Sequence, residues 1–150
     1  TSSSDEKLAT ARALGADLTL NHTQADVSTE VRARTQKRGA DVVVENVGEA
    51  TWEQSLRALG KRGRLVTCGA TTGPKVVTDV RRLFWNQQTI LGSTMGSLEE
   101  YREVVRLLGQ GHLRPTIDAA FPLDQSVEAF KRLEQGAQMG KIVIDVRSGT

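Results

Sequence analysis

Apolar positions along this 150-residue chain follow two periods in alternation, one helical and one strand-like. Ser4-Asp5 offers an N-cap for a helix over residues 5–14, which Gly15 ends. Residues 17–20 read as a short strand. A second helix follows over 26–37, with Val27 and Val31 on one face and Gly39 as its stop. Residues 41–45 and 64–68 are nearly continuous apolar runs, which predicts strands of a parallel sheet covered on both faces. Between them an amphipathic helix over 51–59 sets Trp52, Leu56 and Leu59 on one side. Residues 81–88 read as a short helical or irregular connector, 89–93 as the next strand, and 98–108 as a helix with apolar positions 98, 101, 104, 105 and 108. The tail gives a strand-like stretch over 113–121 interrupted by Pro115. A helix over 123–133 follows, with Val127, Phe130 and Leu133 as its core stripe, and a strand over 141–146 closes the chain.

Strands alternating with helices in this rhythm predict an α/β fold built on a doubly wound parallel sheet. Such sheets bind ligands beyond the C-terminal ends of their strands. The segments to search are therefore 2–7, Asn21-His22, Asn46-Val47-Gly48, 69–73 and 93–96. Ser2, Ser3 and Ser4 with Lys7 bring hydroxyls, helix-N-terminal amides and a cation together, which suits a phosphate, although serines there also cap a helix. Gly69-Ala70-Thr71-Thr72-Gly73 permits close backbone approach and offers amides and hydroxyls, as a simple turn also would. Gly92-Ser93-Thr94-Met95-Gly96 has the same double reading. No catalytic constellation stands out. His22 and His112 lie far apart, no zinc, P-loop or nucleophile-elbow motif occurs, and Cys68 sits in a strand pattern that predicts a buried, inert thiol. The pairs Asp5/Glu6 and Glu99/Glu100 belong to helix starts, where carboxylates complement the dipole.

Composition narrows the partners. Twenty basic and eighteen acidic residues leave a net charge of +2 with the signs intermixed, against the segregated basic face a nucleic acid needs. The basic clusters at 32–38 and 61–64 fall at a helix end and a turn. One cysteine excludes an internal disulfide and fits a reducing, cytoplasmic setting. No apolar run approaches the ~20 residues of a membrane span, and no signal-peptide pattern is present. The chain opens inside a helix pattern without an initiator Met, which predicts a piece of a longer protein.

Five stretches carry a resemblance to a known family: 3–16, 39–48, 63–70, 90–96 and 139–144. In their order and residues they resemble the medium-chain dehydrogenase/reductase family, the zinc-type alcohol dehydrogenases and quinone oxidoreductases. The resemblance implies a partial Rossmann sheet lacking its first strands over 1–96, and over 97–150 a segment returning to the substrate-side domain. In NAD-preferring members an acidic residue ends the second strand; Ser2 stands in the matching position here. That implies NADP(H) favoured over NAD(H), with Ser2, Ser3 and Lys7 holding the 2′-phosphate. His22 stands where many NADP(H)-using relatives place a tyrosine. Asn46 and Val47 resemble the loop beside the cofactor ribose, while Gly69, Ala70 and Thr71 with Ser93, Thr94 and Met95 resemble the backbone that holds the carboxamide. Lys141 matches a position near the cofactor phosphates.

The family further implies hydride transfer to or from an alcohol, carbonyl, quinone or enone, a homodimer joined through the strand at 89–93, and a chain inactive by itself. No catalytic or metal-binding residue of the family maps onto these 150 positions, so zinc use by a complete protein is left open. The competing expectation is a small, non-catalytic α/β nucleotide-binding or interaction module.

Overall fold

The computed structural model describes residues 1–147, so the last three positions of the predicted 97–150 segment lie outside the described residues. The chain divides into two compact units, Thr1–Met95 and Gly96–Thr150.

In the first unit the helix starts follow from short-range chemistry. Helix α1 (Asp5–Ala13) is capped by Ser4, whose side chain accepts from the Lys7 amide, with Asp5 and Glu6 in the first turn and Arg12 in the last. Helix α2 (Val27–Arg34) is capped by Asp26. It ends three residues before the expected 37, because Gln36 and Lys37 take left-handed conformations. The strand expected over 17–20 does not form; a single parallel bridge, Ser2 to Asn21, takes its place. A strand needs a partner along its length, and only this one residue pair is aligned.

Strands β1 (Ala40–Glu45), β2 (Leu59–Thr67) and β3 (Thr89–Gly92) form a parallel sheet in the order β1-β2-β3. Helix α3 (Trp52–Ala58) links the first two, and α4 (Val80–Asn86) precedes the third. β2 starts at Leu59 rather than the expected 64. Ala40 pairs with Leu59 and Val42 with Arg64, so the intervening residues loop out of register, with Arg62 left-handed. Trp52, Leu56, Leu59 and Leu65 form the core, and Val43, Val76, Leu83 and Ile90 pack against it. Period-2 alternation turns Val42 and Val44 to the other face, where Val44 is 71% exposed. Among the described residues this sheet is therefore covered on one face, not on both as the continuous apolar runs suggested.

In the second unit, α5 (Leu98–Gly109) opens on a capping box. Ser97 accepts from the Glu100 amide, and the Glu100 carboxylate accepts from the Ser97 amide. Strands β4 (Ile117–Pro122) and β5 (Lys141–Asp145) pair in parallel, and α6 (Ser126–Glu134) packs on both after one 3-10 turn at Leu123–Gln125. Asp118 ties the unit together: Arg132 reaches it through Nε at 2.5 Å and Nη2 at 3.0 Å, and the Met139 amide at 3.0 Å. The stripe expected to form this helix's core is left open to solvent, although Phe130 and Leu133 line a cavity with Ile142 and Ile144 of β5. Val127, Phe130 and Leu133 are exposed, and Ala129 is the buried residue of α6.

Candidate nucleotide-binding site

The C-terminal ends of β1 and β2 carry two short loops, 46–50 and 69–73, that interlock. The Thr72 amide donates to the Val47 carbonyl at 2.8 Å, and the Glu49 amide to the Gly73 carbonyl at 3.1 Å. Thr72 Oγ1 donates to the same Val47 carbonyl at 2.8 Å while accepting from the Ala50 amide at 3.0 Å. Thr71 Oγ1 donates to the Asn46 carbonyl at 3.2 Å. Two glycines make the approach possible. At Gly48 (φ +91) a Cβ would lie 2.5 Å from the Gly73 carbonyl oxygen, and at Gly69 a Cβ would lie 2.8 Å from the Asn46 oxygen.

Beneath these loops sits Glu45, the last residue of β1 and 3% exposed. Its Oε1 accepts from the Val47 amide at 2.8 Å, the Gly48 amide at 3.1 Å and Thr51 Oγ1 at 2.8 Å. Oε2 accepts from Ser55 Oγ. Burial alone would raise the pKa of this carboxyl, but the bonds from Ser55, Val47, Gly48 and Thr51 outweigh it and hold the group below its ordinary value.

A cavity of about 330 Å³ opens beside β1, lined among others by Thr1, His22, Val42, Glu45, Asn46 and Val47. Of the residues expected to bind a cofactor, His22, Asn46 and Val47 thus share one space. Ser2 adjoins them: its amide donates to Leu20 at 3.2 Å and its carbonyl accepts from the His22 amide at 3.1 Å. Ser2 Oγ accepts from the Ser4 amide at 3.1 Å, and the Ser3 carbonyl from Asn21 Nδ2 at 3.4 Å, so the serines are part of a folded entry to α1. Lys7 lies in the first turn of that helix.

Gly69, Ala70 and Thr71 lie in the interlocked loop. Ser93 follows β3 and donates to the Thr67 carbonyl at 2.9 Å, which sets the end of β3 beside the end of β2. Thr94 is exposed, and Met95 is left-handed with its side chain open to solvent. Lys141 belongs to the second unit, where it begins β5 and its amide donates to the Thr116 carbonyl at 2.8 Å.

Cys68 departs from expectation. β2 ends at Thr67, so the thiol lies just outside the strand and is exposed rather than buried. Among the described residues no three His, Cys, Asp or Glu side chains come together as a metal site. Of the loop organisers, Glu45 was not expected at the site, and Thr72 was expected only as part of the turn at 69–73. Their only sequence signal is an acid ending an apolar run three residues before a glycine, and a second threonine in a glycine-bounded turn.

Residues 1–110 match the zinc-binding dehydrogenase family. The chain is 31% identical over 151 aligned residues to a zinc-type alcohol dehydrogenase-like protein of Schizosaccharomyces pombe, covering 97% of this chain and 44% of that one. It superimposes with a TM-score of 0.85 and 36% identity on the crystal structure of an NAD-dependent alcohol dehydrogenase, covering 95% of this chain and 42% of that chain. A 2-octenoyl-CoA carboxylase reductase, in complex with NADP and 2-octenoyl-CoA, gives a TM-score of 0.85 at 28% identity over 99% of this chain and 37% of that chain. The chain therefore spans less than half the length of these relatives.

Proposed function

The chain belongs to the zinc-binding dehydrogenase family, and from that premise we propose that it forms the cofactor-binding part of an NADP(H)-dependent oxidoreductase. The observation that carries the reading is the pair of interlocked strand-end loops beside the cavity lined by His22, Asn46 and Val47. Parallel α/β sheets place their nucleotide at such strand ends. The chemistry supplied on binding is direct hydride transfer at the nicotinamide C4 to or from an alcohol, carbonyl, quinone or enone.

This chain's residues bind and orient. Backbone at Gly69, Ala70, Thr71, Ser93, Thr94 and Met95 receives the planar carboxamide and so fixes which ring face meets the substrate. Asn46 and Val47 lie beside the ribose. Ser2, Ser3 and Lys7 take the 2′-phosphate, and His22 stacks on the adenosine or pairs with its phosphate. Ser2 itself carries no carboxylate to repel a 2′-phosphate. No helix among the described residues is long and apolar enough to cross a membrane. The reading includes a cytoplasmic setting and a homodimer of the complete protein, joined through the outer edge of β3, an end strand of its sheet.

Fluorescence titration of the complete protein with both reduced nucleotides tests the proposal. NADPH is expected to bind at least roughly tenfold more tightly than NADH, the worth of one charge-assisted contact. Tighter binding of NADH would overturn the role given to Ser2, and binding of neither would overturn the proposal as a whole.

A further inference from the structure

Glu45 has no place in the binding scheme above, yet it is the most deeply buried ionisable group among the described residues. All four of its hydrogen-bond donors are neutral: two amides, Val47 and Gly48, and two hydroxyls, Thr51 and Ser55. A carboxylate taken from water without a cation is retained at a cost, so its donors must be worth holding. They divide into two groups. Thr51 and Ser55 lie at and within the first turns of α3, which their bonds anchor to β1. Val47 and Gly48 belong to the loop itself, whose carbonyl at Val47 is then gripped twice by Thr72.

We propose that Glu45 is a positioning residue for the nucleotide site: its carboxylate draws the Val47 and Gly48 amides inward, and that turn presents Asn46 and Val47 to the ligand and their carbonyls to loop 69–73. The hydrogen bonds of this carboxylate go to the protein's own loop and helix, so its part is to position the turn. Gly48 in its left-handed conformation is what lets consecutive amides converge on one oxygen. The Cys68 amide, which donates to the Glu45 carbonyl at 3.1 Å, carries the same restraint to the start of loop 69–73. One residue thus sets both loops, through its side chain on one and its backbone on the other. The nucleotide part of this inference rests on the function proposed above.

The test compares Glu45→Ala, Glu45→Gln and Ser55→Ala in the complete protein. NADPH affinity is read by fluorescence, stability by thermal unfolding, and the loop by amide hydrogen exchange at Val47 and Gly48. Glu45→Ala is expected to weaken NADPH roughly tenfold or more, since hydrogen bonds to a charged group are lost at both amides. Glu45→Gln keeps one acceptor oxygen and is expected to fall between Glu45→Ala and the wild type. Both speed exchange at Val47 and Gly48. Ser55→Ala removes an α3 anchor but neither amide bond, so it lowers the melting temperature while leaving NADPH affinity within about twofold, a change too small to reflect a lost contact.

Wild-type affinity in both Glu45 variants would overturn the inference. So would a loss of affinity in Ser55→Ala that matches its loss of stability, which would make Glu45 an anchor of α3 alone. If the wild type binds neither nucleotide, the functional proposal fails, and exchange at Val47 and Gly48 still decides whether Glu45 sets the loop.

Discussion

Gly48 has no alternative at its position. It sits at φ +91, it is buried, and an added Cβ would meet the Gly73 carbonyl oxygen at 2.5 Å and Ala70 Cα at 3.0 Å. Both obstacles are backbone or lie next to it, so no rotamer change relieves them. Gly48→Ala must flip the turn or push the loops apart, and either movement breaks the amide bonds to Glu45. A cost of roughly 1–3 kcal/mol is expected from the backbone conformation alone, measured as a shift in the denaturant midpoint. Gly15 is also left-handed, but a Cβ there meets nothing. Gly15→Ala is therefore expected to cost less than Gly48→Ala. Equal costs would show that the loop contact contributes nothing.

At the scale of elements, Asp26 joins two helices. Its carboxylate caps α2 through the Thr29 amide at 2.7 Å and takes Gln54 Nε2 at 3.2 Å and Arg57 Nη2 at 2.6 Å from α3. The Ser28 hydroxyl, then Thr29 and Gln54, hold its pKa well below the ordinary carboxylate range. Glu45 is depressed as well, for the reasons given above. A carboxyl whose folded value lies below its unfolded one stabilises fully above the unfolded value, about 4. That contribution is lost as pH falls through the folded value. Melting temperature is therefore expected to stay level from pH 7 to pH 5 and to fall below about pH 4. Asp26→Ala should lower it by a few degrees at neutral pH and flatten the acid limb, while Asp26→Asn, still able to cap, should lower it less. An unchanged acid limb in both variants would count against this assignment.

Elements were legible where local chemistry decides them. Ser4 announces a helix because a cap and its amide are three residues apart. The apolar runs at 41–45 and 64–68 announce strands because each carries its own burial pattern. Where a distant partner decides, the sequence misleads: residues 17–20 pattern as a strand but gain only the Ser2–Asn21 bridge. The candidate site divides the same way. The loops at 46–48 and 69–73 could be placed as strand ends, whereas Glu45 and Thr72 join residues up to 25 positions apart, which no spacing displays.

At the scale of the whole molecule, the two units differ in what they bury. Thr1–Met95 encloses Leu59 and Leu65 completely, beside Trp52 and Leu56. In Gly96–Thr150, Ala129 is the buried hydrophobic residue among those described, while Leu98, Tyr101, Phe130 and Leu133 stay exposed. Exposed apolar stripes and open strand edges favour association over independent stability. The second unit of the isolated chain is therefore expected to unfold first and to drive self-association as concentration rises. Both tryptophans, Trp52 and Trp85, lie in the first unit, so fluorescence reports on that unit while far-UV circular dichroism also sees α5 and α6. The two denaturation curves should not coincide, the circular dichroism moving at lower denaturant, as two-state folding forbids. Superimposable curves from a monomeric sample would refute the earlier unfolding of the second unit.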